Sequence, residues 1–145
     1  MSKKLVITEK PSVAGDIAAA LSIKKKHKGY FEGEDYLITW AIGHLLELQD
    51  PEDMDKKYKS WLLKDLPIIP KKFKWKVVSR TRDQYRVIQG LLKSDDVGSI
   101  INACDAGRKG ELIFREIVER EKVKKPLERL WLSSMTHEAI RGGFD

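Results

Sequence analysis

Apolar residues fall in short blocks whose spacing changes along the chain. Residues 4–8 (KLVIT) form a brief run rich in β-branched side chains, the pattern of a buried strand. It ends at Glu9-Lys10-Pro11. Proline disfavours helical angles for the residue before it and suits the first helical position. A helix is therefore predicted to open there, with Val13, Ile17 and Leu21 as its apolar stripe. The basic run Lys24, Lys25, Lys26 and Lys28 has no apolar period and reads as a loop, with His27 solvated beside it. Tyr30-Phe31, Glu32-Gly33-Glu34 and Tyr36 to Ile42 read as a hairpin with a glycine-containing turn.

Residues 50–63 are polar with a helical flavour, and Pro67 and Pro70 enforce an extended segment. Phe73, Trp75 and Val77 then alternate with Lys72, Lys74 and Lys76, which predicts a strand with one apolar and one basic face. A helix is expected over Arg82 to Lys93, with Tyr85, Ile88, Leu91 and Leu92 on one side. A second buried strand is expected over 97–104 (VGSIINAC). It runs through Asp105-Ala106-Gly107-Arg108-Lys109-Gly110-Glu111 into a helix with Ile113, Phe114, Ile117 and Val118 inward. Leu127 to Leu132 reads as a third buried strand, and Thr136 as the cap of a last helix. Strands alternating with helices predict an α/β fold with a largely parallel central sheet and flanking helices. In such sheets ligands bind beyond the carboxyl ends of the strands.

With 145 residues, no internal repeat and no linker, the chain is expected to be a single domain, residues 1–145. One cysteine excludes an intrachain disulfide and fits a reducing compartment. No segment approaches the about 18 apolar residues of a membrane span, and the first residues lack a signal-peptide core, so no membrane partner and a cytoplasmic location are expected. The net charge of +6 points to a polyanionic partner, nucleic acid first.

Two strand ends carry acids, Glu9 and Asp105, and Glu111 sits in the first turn of the following helix. If both strands lie centrally in one parallel sheet, the acids converge at one edge. Clustered hard oxygens suit Mg²⁺, which takes one or two carboxylates, waters and substrate phosphate. Lys10 and Arg108 lie on the same two turns and are placed to clamp a phosphate. From spacing alone a plainer reading carries more weight: loop carboxylates that face helix N-termini. Neither a P-loop nor a G-x-G-x-x-G is present. Tyr85, between Arg80, Arg82 and Arg86, is better placed for core packing than for nucleophilic attack. Cys104 reads as a small buried hydrophobe. Lys72, Lys74 and Lys76 are either a solvated edge or, with Trp75 for stacking, a track for single-stranded DNA.

The same residues carry a resemblance. LVITEKPSVAGDIAAAL, WAIGHLLEL, LPIIP and NACDAGRKGELIFREI together resemble the N-terminal Toprim domain of type IA DNA topoisomerases, nearest the topoisomerase III branch. LWLSSMTHEAI resembles the exit from that domain. The resemblance implies a Rossmann-like fold, Mg²⁺ at an acid cluster, and a tyrosine from a separate domain that cleaves and reseals single-stranded DNA without ATP. It implies that this chain is one part of a larger parent and is inactive alone.

Carried onto this sequence, Glu9 matches a glutamate for proton transfer and metal contact, and Lys10 a lysine that holds the scissile phosphate. Asp105 matches a metal ligand. Arg108, Gly110 and Glu111 match the arginine, glycine and last glutamate of D-R-E-G-E. His44, in Gly43-His44, matches a pair near the DNA side, or is a hydrogen-bonded turn histidine. Two positions depart from the pattern: Gly107 stands where many members have an aspartate, and Lys109 where they have a glutamate. The second changes the local charge by two units. At about 5 Å and an effective dielectric near 20, one pair of unit charges is worth roughly 3 kcal/mol. That is enough to weaken a marginal Mg²⁺ site about a hundredfold if Lys109 points inward. Two other functions stay open: a stand-alone Toprim nuclease or nucleotidyl transferase, and a non-catalytic nucleic-acid-binding module with a disabled metal site.

Overall fold

A computed structural model describes residues 2–145. In chain order the elements are β1 (Lys3–Thr8), α1 (Pro11–Ala20), β2 (Lys25–His27), β3 (Tyr30–Glu32), β4 (Tyr36–Trp40), β5 (Leu46–Leu48), α2 (Pro51–Met54), β6 (Trp75–Val77), α3 (Arg82–Lys93), β7 (Val97–Ala103), α4 (Arg108–Arg120), β8 (Leu127–Arg129) and α5 (His137–Phe144). Six strands form one sheet in the order β2-β3-β4-β1-β7-β8. The four from β4 to β8 run parallel, and β2 and β3 extend the sheet as an antiparallel hairpin. β5 and β6 pair separately.

β1 is central and fully buried over its last four residues, as a run without polar alternation should be. Its alternate side chains feed two cores. Leu5 and Ile7 pack with Ile88 and Leu92 of α3 and with Ile113, Phe114 and Ile117 of α4. Val6 packs on the other face with Ala14 and Ile17 of α1 and Ile140 of α5. α1 opens as the proline requires: Lys10 is extended and Pro11 takes the first turn. Thr136 caps α5 by accepting a hydrogen bond from the Ala139 amide at 3.2 Å.

Four local expectations are corrected. Lys25–His27 is an edge strand rather than a loop. Glu32 on the neighbouring strand gathers Lys25 at 2.7 Å, His27 at 2.6 Å and Lys3 at 3.2 Å, so His27 is a hydrogen-bond partner of Glu32 rather than solvated. Lys25, then His27 and Lys3, hold the Glu32 carboxyl down at about 2. The third parallel strand ends at Arg129, and all three of its residues are exposed because it is the sheet edge. Only Leu130 of the continuing run is buried. The alternation at 72–77 yields a strand of three residues, and Phe73 lies outside it, 73% exposed. Residues 50–63 form the single turn of α2 followed by 3₁₀ turns. Among the described residues, no helix is long and apolar enough to cross a membrane.

Candidate catalytic centre

Because β4, β1, β7 and β8 are parallel, their carboxyl ends share one edge, and every segment leaving that edge carries a polar side chain. Glu9 and Lys10 follow β1, His44 follows β4, Asp105 follows β7, and Arg129 ends β8. The first turn of α4 brings Arg108, Lys109 and Glu111 to the same edge. Gly110 explains how α4 comes so near. A Cβ there would overlap the backbone carbonyl of Asp105, so only glycine lets the helix start against the loop that carries Asp105.

Glu9 is 5% exposed, and its Oε2 has no hydrogen-bond partner. Burial first, then the adjacent Asp105 carboxyl, holds Glu9 above the ordinary carboxylate range. The ammonium of Lys109 acts in the opposite direction on Glu9. Lys10, Arg108 and Lys109 are exposed beside this pair. The arrangement is a buried carboxyl, Glu9, against an exposed one, Asp105, with the Lys109 charge acting on Glu9 and with Lys10 and Arg108 on the same two turns. Such a site favours a cation or proton between the acids and an anion beside the cations.

Glu111 takes no part in the pair. It accepts hydrogen bonds from Asn102 Nδ2 at 2.9 Å and Arg115 Nε at 2.8 Å, with Arg129 at 3.4 Å, and these cations hold its carboxyl below the usual range. His44 meets Glu116, whose Oε2 is 3.8 Å from the imidazole Nδ1. Glu116 is 5% exposed, and burial raises its carboxyl despite the histidine. It was missed in the sequence, although a charge between Ile113 and Ile117 on the inward stripe was the available signal. Lys76 is committed to Asp50 and Asp53 at 2.7 and 2.8 Å, well away from the acid pair in the chain, while Lys72 and Lys74 are exposed. Trp75 is half-buried and packs against the core.

Two side chains read as packing groups have that role. Tyr85 is 3% exposed and donates its hydroxyl to Glu121, just past the end of α4. That lies about 20 Å along the helix axis from Arg108. Cys104 is buried, which pushes its thiol up to about 12 and leaves it inert.

The model of the Toprim domain family matches residues 4–135. The chain belongs to the Toprim family. Its sequence is 51% identical over 144 residues to DNA topoisomerase 3 of Bacillus cereus and of Bacillus licheniformis, and 49% identical to that of Shouchella clausii. These alignments cover 99% of this chain and 20% of each relative, so the chain spans about a fifth of their length. Full-length topoisomerase I of Thermotoga maritima shares the fold, with a TM-score of 0.61 at 19% identity over 97% of this chain and 20% of that one.

As a Toprim fold, the protein can be tested for the metal that the resemblance implies. Among the described residues, no group of three or more His, Cys, Asp and Glu side chains is arranged to hold an ion. Two carboxylates with one unpartnered buried oxygen are still the donor set of a Mg²⁺ that completes its shell with water and phosphate. The residues therefore fit a metal shared with substrate, and Lys109 opposes it.

Proposed function

We propose that this chain is the phosphate-handling part of a type IA topoisomerase centre, one Toprim domain of a longer parent in the cytoplasm. Its substrate is single-stranded DNA, and the attacking tyrosine comes from outside residues 1–145. The observation that carries the reading is the buried Glu9 with its unpartnered oxygen beside the exposed Asp105, with Lys10, Arg108 and Lys109 exposed on the same two turns. Glu9, kept above its usual range, is suited to hand a proton to the oxygen that leaves when the DNA backbone is cut, and to take it back on resealing. Lys10 and Arg108 hold the phosphate by charge-assisted hydrogen bonds. His44, oriented by Glu116, stands at the same edge as a further contact to the strand. Lys72 and Lys74 belong to the reading as outlying phosphate contacts, whereas Lys76 has carboxylate partners already.

Glu9 and Asp105 are the residues that would hold Mg²⁺, and the metal, when bound, supplies positive charge to the phosphate oxygens. Glu111 would join them only by leaving Arg115 and Arg129. One observation favours a second reading. The charge of Lys109 already reaches Glu9, so the domain can bind single strands with that ammonium in place of a metal.

The test is binding of oligothymidylate across a salt series. Lys10→Ala and Arg108→Ala should each reduce the slope of log K against log salt by about 1. Slopes unchanged in both variants would contradict the assigned phosphate site.

A further inference from the structure

Between α4 and the edge strand β8, next to the loop that carries Asp105, lies a cleft of about 370 Å³. That is within the ~300–1,000 Å³ range of small-molecule sites. Ala106, the residue after Asp105, lines one end, so the cleft opens directly off the loop that carries the acid. Trp131 stands on its rim, 71% exposed, and the buried Phe114 forms part of its apolar wall. Its floor is a closed polar network. Asn102, 3% exposed, donates to Glu111, and so does Arg115. Arg129 donates to the Cys104 carbonyl oxygen at 2.8 Å and also reaches Glu111.

The charges decide what fits. Arg115 and Arg129 are both engaged by Glu111, and Glu128 on the same wall is paired with Lys4. Glu111 sets one negative charge against two guanidiniums, so a surplus positive charge remains, but Arg129 and the Nε of Arg115 are already bonded, and the cleft is no dedicated phosphate cradle. It offers instead an indole face, an apolar wall and the unused N–H edges of Arg115, which suit a flat uncharged ring with polar edges. We propose that the cleft takes one unpaired nucleobase, stacked on Trp131, from the strand whose phosphate lies at Glu9 and Asp105. The inference rests on the phosphate reading above and adds a reason for single-strand preference. A base inside a duplex has both faces covered by its neighbours and cannot offer one to Trp131, whereas an unpaired base can.

The experiment compares an oligothymidylate octamer with an abasic octamer of equal charge, on the unchanged protein and on Trp131→Ala, Trp131→Phe and Lys10→Ala. Trp131 is exposed, so its variants should fold, and circular dichroism checks this. Trp131→Ala should weaken thymidylate binding roughly tenfold with an unchanged salt slope, and Trp131→Phe should retain most of the affinity. The advantage of thymidylate over the abasic strand should shrink by the same factor in Trp131→Ala. If Trp131→Ala binds both strands as the unchanged protein does while Lys10→Ala still lowers the slope, the nucleobase cleft is wrong and the phosphate site stands. No salt-dependent binding of either octamer would overturn both.

Discussion

Glu9 pairs burial with an unpartnered oxygen and a like-charged neighbour, a combination that costs stability once the carboxyl ionises. Its folded-state affinity for a proton is raised, so its contribution is favourable below the ordinary carboxylate range and is lost as pH rises through the raised value. Glu9→Gln should therefore stabilise the domain at pH 7 by about 1 to 3 kcal/mol, the usual cost of a buried unsatisfied group, and by less at pH 4. Thermal melts at the two pH values check this; an equal effect at both would contradict it. Lys109→Glu should tighten Mg²⁺ binding about a hundredfold, read as chemical-shift changes at Glu9 and Asp105 during a titration. Equal weak binding in both proteins would show that Lys109 does not oppose the metal. The placement of Glu9, Lys10, Asp105 and Arg108 at one end of the sheet was legible because each is adjacent to a strand end or a helix start. The separation of Glu111 from the pair was not. Its (i, i+4) partner Arg115 was visible in the sequence, but Arg129 reaches it only through the β7–β8 pairing.

At the scale of elements, α4 both closes one core and delivers the exposed cations Arg108 and Lys109. Phe114 is 1% exposed between the sheet and the cleft, and Phe114→Ala should cost about 3 to 5 kcal/mol in denaturant melts. Gly110→Ala should push α4 away from Asp105. It should weaken octamer binding more than a helix-favouring alanine would suggest, whereas unchanged binding would mean that the contact is slack. Tyr85→Phe should cost only about 1 kcal/mol for its lost hydrogen bond and leave DNA binding untouched. Among the elements that sequence located correctly, β1, α1, α3, β7 and α4 have a period set by their own burial, while the β3–β4 hairpin and α5 were marked by the Gly33 turn and the Thr136 cap. α3 runs over the predicted Arg82–Lys93. β2 was read as a loop because its lysines are matched by Glu32 on another strand. β8 was read as buried because its position at the sheet edge is a property of the assembled sheet.

For the whole molecule, the four parallel strands put Glu9, Lys10, His44, Asp105 and Arg108 at one end and leave the sheet edge β8 and the apolar side chains of residues 61–73 on the surface. The chain spans about a fifth of the length of its DNA topoisomerase 3 relatives, and the proposal gives it the phosphate-handling role. The most direct measurement grafts residues 1–145 into the B. cereus enzyme in place of the matching segment and follows relaxation of supercoiled DNA. With Lys109→Glu in the graft the chimera should relax DNA, and adding Glu9→Gln should lower the rate by at least about a hundredfold while the melt shows a folded protein. Relaxation that survives Glu9→Gln would contradict the account.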